Sequence, residues 1–363
     1  MSTHLEPSGA ALDESKVEEF AGKLIDMYAG GCVTLMIDLA HRNGLFDVLA
    51  AGSGTSAELA ARAGLQERYV RECLGALVTS GIVEYTAEKS SYSLPPEHAA
   101  CLTGEGSLNM APYAQTTTLL AHHVSGVDRA FREGGGVPYD DFRPEFTEVM
   151  DALSRGVFDG QLLTGILPLA EGLTGLLAKG VRAADLGCGT GHAVNLMARA
   201  YPDSSFTGYD LAADALEKAR AEAAAYGATN AAFEVLDVAE LPADPPFDVL
   251  FAFDTVHDQA RPQAVLDRAA AALAPGGMFV MLDTKASSRL ERNIGNPMAP
   301  WLYAVSTLHC MTVSLAAGGA GLGTVWGEEL ALSMLDAAGF TDVEVHEVPD
   351  DPMDSLYVAR TPG

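Results

Sequence analysis

The sequence predicts an α/β protein. A doubly wound, seven-stranded sheet, parallel with one antiparallel strand, follows a mostly α-helical domain. Three observations carry this prediction. Residues Val181 to His192 read as a short buried strand, a glycine turn and the start of a helix. Apolar runs at 205–209, 232–236, 247–253 and 278–282 alternate with helical stretches, an order that implies parallel strands with right-handed crossovers. Near the N-terminus, helix, turn, helix and a two-stranded wing follow one another.

Taken in order, residues 1–12 read as a loose tail. Val17, Phe20, Leu24, Ile25, Tyr28, Leu35 and Leu39 recur at helical spacing, with a kink or a break expected at Gly30-Gly31. Thr55 to Glu58 looks like a capped helix start, so helices are expected at 56–63 and 67–80. Residues 81–85 and 92–94 form the wing. Such a module suggests DNA, but residues 56–100 hold four basic residues against six acidic ones. Phosphate binding needs the opposite balance. The whole chain carries −27 and disfavours nucleic acid and anionic membranes. It shows no leader and no apolar stretch long enough to span a bilayer, so a cytosolic protein is expected. Five scattered cysteines show neither disulfide nor zinc spacing.

Apolar helices are expected at 107–121, 144–158 and 160–178, with a glycine turn at 134–136 as a candidate lid hinge. After the fifth sheet strand, residues 285–326 form an insertion rich in aromatic and sulfur side chains. A helix at 327–338 and strands at 342–348 and 355–360 complete the sheet. The expected organisation is a helical, winged domain at 13–104, a helical linker and cleft wall at 105–178, and a Rossmann-like domain at 179–363.

The glycines at 187, 189 and 191 let the backbone turn sharply and approach a ligand. A dinucleotide fingerprint would need glycine where His192 stands. Asp185 would crowd a pyrophosphate but suits an ammonium group. Asp210 lies 19 residues after Gly191, about where a doubly wound sheet puts a carboxylate on a ribose. Asp237 and Asp254 end the next two strands on the same edge.

These motifs resemble the class I S-adenosylmethionine-dependent methyltransferases. The resemblance implies S-adenosylmethionine as cofactor, with Asp185, Gly187, Cys188, Gly189 and Gly191 at its methionyl end, Asp210 and Leu211 at the ribose, and Asp237 and Val238 at the adenine. Phe253 and Asp254 complete that cleft. From residue 17 to 360 the chain is similar to bacterial methyltransferases with an N-terminal winged-helix dimerisation domain, which implies a homodimer and a small-molecule methyl acceptor.

Methyl transfer to oxygen needs an aligned nucleophile and a base. His257, after the fourth sheet strand, is the candidate base, with Asp254 or Asp258 orienting it. Plant-type O-methyltransferases carry a His-Asp pair at a similar place, although Gln259 here replaces the tryptophan that often follows. Trp301, Tyr303, His309, Met311 and Trp326 are expected to line the acceptor pocket, and His309 is a second candidate base. No metal is expected, because no ligand spacing points to one. Methylation of N or C, a non-methylating use of the same cofactor, and a cofactor-sensing DNA-binding regulator are the competing readings.

Overall fold

The computed structural model describes residues 12–104, 108–349 and 351–363, so all but the last residue of the expected N-terminal tail lies outside it. The described residues divide into two compact units, one of 12–104 and 109–117, the other of 108 and 118 onward.

The first unit is helical, with helices Glu14–Arg42, Leu45–Ala51, Ser56–Ala63, Glu67–Thr79 and Pro96–Leu102 and the wing strands β1 (Glu84–Thr86) and β2 (Ser91–Ser93). Thr55 and Glu58 close a reciprocal capping box, as their spacing implies. Leu45, Phe46, Leu49, Leu59, Leu74 and Leu77 form the core. The first helix runs unbroken through Gly30-Gly31, against expectation. Each glycine costs only about 1 kcal/mol in a helix, and no proline enforces a stop. This helix is 29 residues long. By length and composition it is apolar enough to cross a membrane, although Asp26 and Asp38 interrupt it. Phe20, Ile25, Met27 and Tyr28 along it are exposed.

The second unit is built on seven strands, β3 (Arg182–Leu186), β4 (Ser205–Asp210), β5 (Ala231–Val235), β6 (Phe247–Phe253), β7 (Leu273–Thr284), β8 (Thr341–Glu347) and β9 (Asp354–Arg360). Their order is β5-β4-β3-β6-β7-β9-β8. β9 runs antiparallel to both neighbours and is the one reversed strand. β3 pairs with β4 on one side and β6 on the other, so strand order reverses there and opens a crevice at the carboxyl ends. Val194, Phe206 and Phe251 pack one face of the sheet, and Leu250, Leu266 and Phe279 the other.

Three boundaries differ from the sequence reading. β7 starts at Leu273 and absorbs the expected turn at 275–277, with a register shift between Phe247 and Val249 to accommodate it. The long helix expected at 160–178 is instead a π-turn, Phe158–Ile166, continuing helix Glu145–Val157, then a break and a new helix, Leu173–Lys179. Pro168 and left-handed Gly172 cause the break. The insertion is helical, with segments Leu290–Asn293, Ala299–Val305 and Met311–Ala316 joined by the π-turn Ser306–Cys310. In the glycine turn at 134–136, Gly134 and Gly135 have open space around them, but Gly136 is tightly packed. A Cβ on Gly136 would collide with the Thr312 carbonyl, and Val137 N–H donates to Thr312 Oγ1 at 3.0 Å.

Candidate active site

The glycine loop leaves β3 with Gly187, Gly189 and Gly191 all at positive φ. At Gly187 space matters too, since a Cβ there would strike the Thr255 side chain in the loop after β6. Asp185 is buried, and one carboxylate oxygen has no partner. Burial and the nearby Asp210 charge push its pKa up to about 8. Asp210 ends β4 and accepts from Gly189 N–H at 2.8 Å and Ala212 N–H at 2.7 Å, which ties the loop to the neighbouring strand. Asp237 caps the turn Val238–Glu240 and accepts from Arg261 at 2.9 Å. Leu211 is exposed beside the cleft and Val238 is buried. The Phe253 ring lies 5.4 Å from that of Phe158, tilted by 52°. Cys188 fills the space where a Cβ on Gly208 would stand, and burial holds its thiol pKa well above the ordinary value, so it is a packing residue.

A network behind this loop escaped the sequence reading. Thr190 Oγ1 donates to Asp151 at 2.5 Å. Arg155 bonds Asp151 at 2.9 Å and Glu222 at 2.7 Å. His192 lies between Glu222, at 3.0 Å, and Asp159, at 2.9 Å. Burial works against both charged groups. Hydrogen bonds from His192, Asn195 and Arg155 still bring Glu222 down to about 2, and Glu222 raises His192. The i, i+4 spacing of Asp151 and Arg155 was visible, but their target on the glycine loop was not.

The second half of the crevice follows β6. Asp254 has φ +51°, a backbone region that Asp tolerates better than most residues. Val256–Asp258 then forms one tight turn. His257 is buried, and its Nδ1 donates to Asp283 Oδ1 at 2.9 Å. Neither expected partner, Asp254 or Asp258, makes that bond. Asp283 sits at the end of β7, fully buried, and also accepts from Trp326 Nε1 at 3.0 Å and Thr284 N–H at 2.8 Å. Its second oxygen has no partner. The loop at 318–323 holds the backbone of this turn, because Gly323 N–H donates to the His257 carbonyl at 3.0 Å. Cys310 lies near the imidazole, and its sulfur accepts from Thr324 Oγ1 at 3.1 Å. Burial opposes a charged His257, but Asp283 and Cys310 outweigh it and hold the pKa well above the ordinary value. Burial pushes Asp254 up to about 7, helped by the Asp283 charge, and Asp258 up to about 6.

Ligand atoms of Asp254, His257 and Asp283 lie within 4.8 Å of one another, close enough to share a cation. Sequence spacing gave no sign of this group, because the loop after β6 supplies two of its members and the end of β7 the third.

The insertion residues part company. Trp326 is buried and donates its Nε1–H to Asp283. The Tyr303 hydroxyl accepts from Asn293 at 3.1 Å. Trp301 and Met311 are half-buried. His309 is fully buried, and its ring lies 3.6 Å from that of Phe146, stacked at 10°.

Residues 31–104 match the Rv2258c-like winged HTH domain, and residues 177–338 match a methyltransferase domain. The methyltransferase match spans a little under half of the chain. Trans-aconitate 2-methyltransferase of Methylobacterium nodulans is 33% identical over 126 residues, 33% of this chain and 47% of that protein. The chain thus spans about half the length of the curated relatives it matches. Among solved structures, an O-methyltransferase family protein from Burkholderia thailandensis has a TM-score of 0.69 at 18% identity, covering 98% of this chain and 99% of that one. Human N-acetylserotonin methyltransferase, solved with S-adenosylmethionine, has a TM-score of 0.66 at 18% identity, over 98% and 100%. The cofactor of the methyltransferase domain is S-adenosylmethionine. The residues present fit it, since the glycine loop offers a buried carboxyl whose oxygen awaits a donor such as an ammonium group.

Proposed function

We propose that the chain transfers a methyl group from S-adenosylmethionine to a hydroxyl oxygen of a small, partly apolar or aromatic molecule. Asp185 and the glycine loop hold the methionyl end, Asp210 with Leu211 the ribose, and Asp237 with Val238 the adenine. Phe253 and Asp254 close the cleft. When bound, the cofactor supplies a methyl group already activated by positive sulfur.

The observation that carries this reading is the buried His257–Asp283 pair backed by Trp326. With Nδ1 donating to a carboxylate, the neutral ring keeps Nε2 as a proton acceptor. Asp283 fixes the ring orientation and stabilises the imidazolium formed when the acceptor hydroxyl gives up its proton. Burial keeps water from competing for the methyl group.

Methylation at N or C can dispense with a base, so His257→Ala separates the readings. Bound S-adenosylhomocysteine, measured by calorimetry, should persist while turnover with a hydroxyl acceptor falls at least a hundredfold. Turnover at the wild-type rate removes His257 from the mechanism. The exposed apolar face of Glu14–Arg42 supports a homodimer through the N-terminal unit. Sedimentation equilibrium tests this, and a monomer at micromolar concentration rejects it.

A further inference from the structure

His309 is a buried polar group with nothing to bond. Its exposure is 0%, and neither ring nitrogen has a hydrogen-bond partner. Buried histidines elsewhere in the same unit are satisfied: His192 has two acidic partners, and His257 has Asp283. An unpaired buried donor and acceptor are costly, and natural proteins seldom keep both without a use for them.

The surroundings are flat and apolar. Phe146 stacks on the imidazole, while Phe142 at 4.7 Å and Tyr139 at 6.1 Å meet it nearly edge-on. Burial, with the charges of His257 and His123, lowers its pKa to about 3. The ring is therefore neutral at pH 7 and offers one donor and one acceptor. It sits on the π-turn Ser306–Cys310, an irregularity frequent at functional sites. The next residue, Cys310, lies near the candidate base. Residues 309 and 310 thus bring an idle imidazole close to His257.

We infer that His309 reads a second polar substituent on the methyl acceptor, and that the acceptor is a hydroxylated aromatic with another hydroxyl or carbonyl group on the same ring system. The inference rests on the hydroxyl-methylation reading above. The acceptor's reacting hydroxyl bonds His257 Nε2. Its second oxygen satisfies His309, and its ring lies among Tyr139, Phe142 and Phe146. A ligand with one polar group would leave His309 as unpaired as before, which makes the residue a selector.

The test compares 1-naphthol with 1,3-dihydroxynaphthalene as acceptors for the wild type and His309→Phe. The wild type should favour the dihydroxy probe at least tenfold in kcat/KM, mainly through KM. In the variant the ratio should fall to within twofold of one. The variant should also melt at a higher temperature, because it replaces unpaired nitrogens with carbon of similar shape. The same ratio in both proteins overturns the inference, and so does a lower melting temperature, which would reveal partners inside the protein. If the wild type methylates neither probe, the hydroxyl-transfer reading fails for this class. His309 is then read separately by calorimetric binding of the dihydroxy probe to the S-adenosylhomocysteine complex. Tenfold weaker binding by the variant sustains the selector role; equal binding, or none by the wild type, overturns it.

Discussion

The two halves of the crevice differ in how they are made. The glycine loop comes from one contiguous stretch, residues 185–191, and one neighbouring acid, Asp210. The base cluster gathers His257, Asp283, Cys310 and Trp326 from four places in the chain, 69 residues from first to last. One half keeps a carboxyl waiting for a cation, and the other pairs its carboxylate with an imidazole already. Asp185 is therefore idle before binding, whereas Asp283 is engaged from the start.

The sharpest way to break this comparison is His257→Ala. It should cost about 10²–10⁴ in turnover and leave S-adenosylhomocysteine affinity intact. Parallel loss of both would mean that the halves are one site. Next in size is Asp283→Asn, with an expected loss of about tenfold to a hundredfold from a charge-assisted hydrogen bond. The pH profile carries the sign. His257 acts only when neutral, and its pKa is raised, so kcat/KM should climb with pH through that raised value. Removing the Asp283 charge lowers the pKa and moves the limb toward acid. A limb that stays in place assigns the profile to another group.

Asp185 should behave in the opposite sense. Its carboxyl, near 8 before binding, must ionise to hold an ammonium group. Binding of S-adenosylhomocysteine at pH 7 should therefore release a proton. Calorimetry in buffers of different ionisation enthalpy detects this, and Asp185→Asn should abolish it. The smallest effect is on acid stability. Glu222, held near 2 in the fold, contributes stability that is complete above its ordinary value of 4.5 and is lost as pH falls toward 2. Glu222→Gln should flatten that part of the melting-temperature profile.

The same contrast explains what was legible. The strand-turn-helix stretch and its strand-end acids are local patterns, so the sheet, the glycine loop and the positions of Asp210, Asp237 and Asp254 could be read directly. Gly30-Gly31 misled because a glycine pair lowers helix propensity without forbidding a helix. His257 was found because it follows a strand. Its partner was misassigned to Asp254 or Asp258 because neighbours in sequence are visible and neighbours in space are not. Asp283 had a signal, an acid directly after the apolar run 278–282. Trp326 had none, for an aromatic in an insertion reads alike as pocket wall and as scaffold.

Helix Glu145–Val157 joins what the comparison has kept apart. Phe146, near one end, lies on His309, while Asp151 and Arg155 grip Thr190 and Glu222 behind the glycine loop. The span from 146 to 155 is about 13 Å of rigid rod. Any movement of the cofactor loop is thus delivered to the acceptor wall, and the two ligands should be thermodynamically linked, each raising the other's affinity by the same factor. Asp151→Ala should uncouple them, leaving two independent binding isotherms in place of an ordered pair.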